Sequence, residues 1–88
     1  MHLTRHAERR RIERSLPSRI LRVIYDYGSP RPSRGAVSLT LDARAIDLAA
    51  EDNRRRRIDL QRFRGAFIIV GEGERIATAA RRTRRFRR

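Results

Sequence analysis

The sequence predicts an α+β domain in which two N-terminal helices pack on a small antiparallel sheet ending in a C-terminal hairpin. The chain of 88 residues has the length of one small domain. Apolar residues recur at helical spacing before residue 29, and they alternate or run continuously after residue 35. Helices followed by strands are typical of α+β architecture. We expect residues 1–80 to form this domain and residues 81–88 to form a basic tail.

Two helices are predicted before residue 29. Thr4 can cap the first helix, which should run to about Arg14. Pro17 suits the first turn of the second helix, and Gly28 should end it in the C′ position. The second helix carries an apolar stripe at 3.6-residue spacing, which we assign to the core: Leu16, Ile20, Val23, Ile24 and Tyr27.

The middle of the chain predicts a loop, a strand and a third helix. Residues 29–35 have the composition of a loop. Residues 36–41 alternate in polarity and predict a strand with one apolar face. Either Thr40 or Asp42 can cap a short helix from residue 43 to about residue 51.

The last third of the chain predicts the hairpin. Residues 54–57 are four arginines that we assign to a charged connection, and residues 58–64 predict a strand of mixed pattern. The apolar run at residues 67–70 is typical of a strand buried on both faces. A turn at residues 71–74 and a last strand at residues 75–80 complete the hairpin.

All 23 basic side chains are arginine, and with 10 acidic residues they give a net charge of +13. Genome-wide codon bias explains why the basic residues are arginine, but it does not explain their excess. A guanidinium group matches two phosphate oxygens at once. The excess therefore predicts a polyanionic partner, most readily RNA or another nucleic acid, although an acidic protein would also satisfy it.

The arginines occur in clusters that predict phosphate contacts. A solvated charged turn at residues 54–57 and a tail that only improves solubility are the simpler alternatives. The predicted nucleic-acid-binding residues are Arg9, Arg11, Arg54, Arg55, Arg56, Arg57, Arg81, Arg82, Arg84, Arg85, Arg87 and Arg88.

The composition excludes several classes of site. Without cysteine there is no disulfide, thiol nucleophile or common zinc finger, so we expect neither a metal nor a cofactor. The five aromatic residues are not spaced as a base-stacking platform. No apolar run approaches the length of a membrane span, and the N-terminus lacks an apolar signal core. We therefore expect a cytoplasmic protein without a membrane partner.

The first helix carries the candidate catalytic residues. His6, Arg10 and Arg14 are spaced four apart and follow one stripe of the helix. Histidine can transfer a proton near neutral pH, and arginine can neutralise the charge that develops during phosphodiester cleavage. The simpler alternative is a solvated helix face or a set of phosphate contacts.

These residues carry a family resemblance. The opening His6-Ala7 with Arg10 and Arg14, the Tyr27-Gly28 end of the second helix, and the hairpin at residues 68–78 resemble a bacterial domain family of unknown function. That family is similar to the RelE/ParE-like toxin superfamily, including BrnT-type toxins. This chain departs from the pattern by an inserted Ala77 and by its long arginine tail.

The resemblance implies a small basic ribonuclease that needs no metal and is silenced by an acidic antitoxin. It implies that His6, Arg10 and Arg14 are catalytic residues. Thr78 matches the family pattern more loosely and is implied as a fourth. Members of the superfamily that have lost nuclease activity, or act on gyrase instead, show that the fold alone does not determine the activity. A non-catalytic nucleic-acid-binding protein, associated with ribosomes or phage, is the alternative function.

Overall fold

The computed structural model describes residues 1–81 and confirms the α+β class. The strands within this range are β1 His2–Leu3, β2 Ser29–Ser33, β3 Ala36–Thr40, β4 Ala66–Val70 and β5 Arg75–Arg81. The helices are α1 Arg5–Glu13, α2 Ser18–Tyr27, α3 Ala43–Ala50 and α4 Arg54–Gln61, with a 3-10 turn at Glu72–Glu74. The strands form one sheet in the order β1-β5-β4-β3-β2.

The predicted start of α1 at Thr4 and end of α2 at Gly28 are confirmed, but Pro17 precedes α2 as its N-cap residue and does not lie in its first turn. The Thr4 hydroxyl accepts the backbone N–H of Ala7 at 3.1 Å and so caps α1. Gly28 is the C-cap residue of α2 with φ −56°, so it does not adopt the left-handed conformation that is common for a glycine at C′. A Cβ atom at Gly28 would lie 2.5 Å from the Ile24 carbonyl oxygen and 2.9 Å from Leu39 Cβ. Close packing, and not a left-handed turn, therefore explains the glycine.

The predicted apolar stripe of α2 is confirmed at its centre and shifted at its edges. Leu16, Ile20 and Ile24 are fully buried, but Tyr27 is 38% exposed and Leu21 is buried in its place. The shift follows from the position of α2, which packs on β3 and β4 and also on α3. A second neighbour widens the buried face of the helix toward Leu21.

The helices within residues 1–81 cover one face of the sheet. Ile68 is opposite Leu39 on β3 and Ala79 on β5, and it belongs to the same buried cluster as side chains from all four helices described. Phe67 and Ile69 alternate with it and therefore lie on the other face, where they are half-buried. The prediction that residues 67–70 are buried on both faces is wrong.

Residues 29–33 form an edge strand, where the sequence predicts a loop. Pro30 pairs with Leu39 and Pro32 with Val37, at the edge of the sheet. An edge strand tolerates proline because the missing N–H would point away from its only partner. Arg34 and Gly35 connect β2 to β3 with φ values of 46° and 80°. Positive φ at both central residues is what a two-residue hairpin of type I′ requires.

Residues 54–61 form a helix, so the predicted charged connection at residues 54–57 and the predicted strand at residues 58–64 are both wrong. The Asn53 side chain accepts the backbone N–H of Arg56 at 2.9 Å and caps α4. Leu60 is buried against the core, whereas Ile58 is 61% exposed. Local capping and the single anchor at Leu60 fix the helix where the apolar pattern is weak.

Asp42 caps α3, which confirms one of the two predicted capping residues. Its carboxylate accepts the backbone N–H of Ala45 at 2.9 Å and the hydroxyl of Ser29 at 2.8 Å. Partial burial opposes the charged form, but these two hydrogen bonds, the backbone N–H of Asp42 and the positive charge of Arg44 together lower the pKa of Asp42. The bond to Ser29 also ties the start of β2 to the start of α3.

The sheet is mixed, where the sequence predicts a purely antiparallel one. β1 is parallel to β5, with His2 opposite Arg75. The predicted β4–β5 hairpin is confirmed, with the 3-10 turn as its connection. Ile69 pairs with Thr78 and Val70 with Ile76, so Ala77 is the extra residue of a β-bulge.

Candidate nucleic-acid interface

Only some of the arginines within residues 1–81 form ion pairs with carboxylates. The ion pairs within residues 1–81 are Arg10–Glu13, Arg11–Glu8, Arg19–Asp59, Arg22–Asp26 and Arg57–Asp47. The other arginines in this range form no ion pair with a described carboxylate, although the charge of Arg44 acts on Asp42. They are Arg5, Arg9, Arg14, Arg31, Arg34, Arg44, Arg54, Arg55, Arg56, Arg62, Arg64, Arg75 and Arg81.

The densest group of unpaired arginines lies at the start of α4. Arg54, Arg55 and Arg56 are exposed and consecutive. Arg57 is held by the carboxylate of Asp47 and by the Glu51 carbonyl oxygen at 3.1 Å. The helix dipole places positive potential at this end, and the first turn contains no acidic residue to balance it. Three guanidinium groups therefore lie at the end of the helix where positive charge destabilises the free protein.

An open groove of about 540 Å³ runs between α2 and the start of α4. Arg19 and Val23 line it from α2. The other lining residues are Asn53, Arg55, Arg56, Asp59 and Leu60. Arg19 donates to both carboxylate oxygens of Asp59, with Nη2 3.2 Å from Oδ1. A bidentate pair of this kind fixes the plane of the guanidinium group.

The basic surface continues from the groove to the end of β5 through Phe63. The guanidinium carbons of Arg19 and Arg81 lie 5.7 and 5.8 Å from the centroid of the Phe63 ring, within cation–π range. Arg81 also donates to the Arg62 carbonyl oxygen. We call the surface formed by Arg19, Arg54, Arg55, Arg56 and Arg81 the α4 basic surface.

Arg81 belongs to β5, so the first residue of the predicted tail extends the last strand. The other predicted contacts in the tail lie outside the described residues: Arg82, Arg84, Arg85, Arg87 and Arg88.

The predicted catalytic stripe lies on the exposed surface of α1. His6 and Arg14 are exposed, and Arg10 is half-buried with Nη1 3.4 Å from Glu13 Oε1. His6 makes no hydrogen bond to any residue of the described range. A groove of about 610 Å³ beside α1 is lined by Leu3, Thr4, Arg5, Glu8, Arg9 and Ile12. His6 thus lines neither this groove nor the one beside α4.

Thr78 is not brought together with the stripe. It pairs with Ile69 and lies on the face of the sheet that no described helix covers. α1 packs on the opposite face, where its Ala7 joins the core cluster with Ala79. The sheet therefore separates Thr78 from His6 and Arg10.

The two other predicted contacts on α1 differ in availability. Arg11 donates from Nε and Nη2 to Glu8, each at 2.8 Å, and from Nη1 to the Leu16 carbonyl oxygen at 3.3 Å. The bond from Arg11 also lowers the pKa of Glu8. Because it donates to both Glu8 and the Leu16 carbonyl oxygen, the Arg11 guanidinium group connects α1 to the start of α2. Arg9 is exposed and lines the groove beside α1.

Comparison with known proteins assigns no relative. No protein-family model, curated protein or solved structure matches this chain. Within residues 1–81, no three His, Cys, Asp or Glu side chains come together as a metal site. None of the helices in that range has the length and apolar character needed to cross a membrane. The placement of the arginines is therefore the observation from which function is inferred.

Sequence reasoning missed several residues of the α4 basic surface. Arg19 and Asp59 are 40 positions apart, and nothing in the sequence pattern connects them. The Phe63 ring likewise lies within cation–π range of Arg19 from α2 and Arg81 from β5, which are distant from it in the sequence. The one local signal is Asn53, which precedes four arginines and is a preferred N-cap residue. That signal predicts a helix start at Arg54.

Proposed function

We propose that this protein binds nucleic acid by phosphate contacts from the α4 basic surface. The observation that carries the proposal is the position of Arg54, Arg55 and Arg56. They are exposed, consecutive and without a carboxylate partner in the described range, at a helix end whose dipole opposes cations. A local arrangement that disfavours the free fold is typical of a functional site.

A polyanion relieves this arrangement. Guanidinium groups pair with phosphate oxygens in bidentate geometry, and each neutralised phosphate releases condensed counterions. The free protein carries a net charge of +13, so bound phosphates also reduce repulsion throughout the chain. Binding by this route is independent of base sequence.

The proposal is tested by measuring RNA affinity as a function of salt concentration. We expect the logarithm of the association constant to fall linearly with the logarithm of the salt concentration. Three phosphates contacted by Arg54, Arg55 and Arg56 would account for about two units of that slope. An affinity that does not change with salt would contradict phosphate contacts.

A second candidate function is a metal-independent ribonuclease of the toxin–antitoxin type, with an acidic antitoxin as its partner. The observation that favours it is the exposure of His6, one helical turn before Arg10, where an RNA backbone can approach freely. This candidate requires His6 and Arg10 to act without Thr78. It also requires cleavage of RNA that is lost when His6 is replaced.

A further inference from the structure

We propose that the groove between α2 and α4 takes an unpaired base, which makes single-stranded nucleic acid the preferred ligand of the α4 basic surface. This inference rests on the proposed function and specifies its ligand. The groove measures about 540 Å³, within the range of pockets that hold small organic groups. One nucleotide base therefore has room to enter.

The chemistry of the groove changes from its floor to its rim. Val23 and Leu60 both line it, but Leu60 is only 1% exposed, so Val23, which is half-buried, supplies the aliphatic side chain that a base could reach. Arg55 and Arg56 are exposed and contribute positive charge. Phosphates of a duplex backbone are not stabilised by contact with apolar side chains, whereas the flat face of a base is stabilised when such contact removes it from water.

Asp59 decides which part of a nucleotide enters. Its carboxylate lines the groove, and although Arg19 balances its charge, it offers only acceptor oxygens, which cannot hydrogen-bond to the oxygens of a phosphate. The same carboxylate accepts hydrogen bonds from the amino and imino groups of bases. The phosphates are therefore expected at Arg55 and Arg56, with the base inside.

Arg19 is positioned to contact the base. Asp59 holds its guanidinium group on one side, and the Phe63 ring lies 5.7 Å from its central carbon. A guanidinium plane fixed in this way can stack on a base, as arginine does in single-stranded RNA recognition. This geometry replaces the platform of closely spaced aromatic residues that the sequence lacks.

The test compares three probes of equal length at one salt concentration: single-stranded oligouridylate, the corresponding abasic strand and duplex RNA. We expect the wild-type protein to bind oligouridylate about fivefold or more tightly than the abasic strand, because stacked bases add to the phosphate contacts. Equal affinity for these two strands would overturn the inference while leaving phosphate binding intact. Failure to bind any probe would instead contradict the proposed function.

A matched pair of variants locates the base. Val23→Arg places a long side chain in the groove, and Ile58→Arg makes the same change at an exposed position of α4 outside it. Both variants add one positive charge. We expect only Val23→Arg to abolish the preference for oligouridylate over the abasic strand. An equal effect of the two variants would overturn the inference. It would also be overturned if polyglutamate competed with oligouridylate for the wild-type protein and Val23→Arg abolished this competition. The groove would then bind an acidic peptide.

If Val23→Arg does not fold, as judged by its thermal unfolding, the comparison of oligouridylate with the abasic strand on the wild-type protein still decides the question.

Discussion

The Asn53 side chain accepts the backbone N–H of Arg56 at 2.9 Å, and this bond makes a run of arginines the first turn of a helix. Without a cap, four like charges in succession favour an extended, solvated conformation. With it, Arg54, Arg55 and Arg56 are displayed at fixed positions beside the groove. Capping thus connects the local sequence to the α4 basic surface.

Removal of this cap is expected to weaken both the fold and RNA binding. Asn53→Ala should lower the free energy of unfolding by about 1 kcal/mol, the usual loss for an N-cap residue. Asn53→Ser keeps a capping oxygen and should stay close to wild type. Urea denaturation and RNA binding measured on both variants check this. An Asn53→Ala protein as stable as Asn53→Ser would show that the cap contributes nothing.

Charge reversal at Arg55 should change stability and affinity in opposite directions. Arg55→Glu places an acidic residue near the N-terminus of α4, where the dipole favours it by about 0.3–1 kcal/mol. The same change removes a phosphate contact and introduces repulsion. Thermal unfolding and RNA affinity are the two measurements. Arg34→Glu, an equal charge change in the β2–β3 turn, is the control and should weaken RNA binding much less.

Asp42 should make the stability of the fold sensitive to acid. Its pKa in the folded protein lies below the ordinary value of 3.8, so it stabilises the fold while ionised. That contribution is present above the unfolded pKa and is lost as the pH falls through the folded pKa, beginning below about pH 5. Asp42→Asn keeps the acceptor oxygen without the charge. We expect the difference in unfolding free energy between wild type and Asp42→Asn to shrink on acidification.

The same comparison with Asp52→Asn is the control, because Asp52 is exposed and makes no hydrogen bond within the described range. This control shows the effect of removing one exposed negative charge. A difference for Asp42→Asn that does not change with pH would contradict the role of the ionised carboxylate in capping α3.

RNA is expected to remain intact in the presence of this protein. His6 lies outside both grooves, and Thr78 lies across the sheet from it, so no described cleft gathers the predicted catalytic residues. Labelled RNA incubated with wild type and with His6→Gln should be recovered equally. Cleavage by wild type that His6→Gln abolishes, with binding unchanged, would instead establish the ribonuclease function.

The elements predicted correctly are those that local interactions determine. Thr4 and Asp42 each accept a backbone N–H three residues later, and a short window of sequence is enough to show such a cap. The apolar stripe on α2 is predictable for the same reason, because its spacing repeats within ten residues. The burial of Leu21 in place of Tyr27 is not predictable from the sequence, because it depends on the position of α3.

The missed elements depend on contacts between distant parts of the chain. The backbone N–H of Thr4 donates to the Ile76 carbonyl oxygen, and this bond brings β1 to β5. A strand of two residues has no pattern to detect. The proline-containing β2 is a strand only because β3 is beside it. The groove likewise exists only once α2 and α4 both pack on α3.

The most direct test of the account compares two triple variants of equal net charge. One replaces Arg54, Arg55 and Arg56 with glutamine. The other makes the same replacement at Arg31, Arg34 and Arg75, which are exposed and unpaired within residues 1–81 but lie in strands of the sheet or in the β2–β3 turn. The measurement is RNA affinity across a series of salt concentrations. We predict that the α4 variant loses about two units of the logarithmic salt slope and that the sheet variant keeps the wild-type slope. Equal losses in the two variants would contradict the account, because binding would then depend on total charge and not on the placement of the arginines.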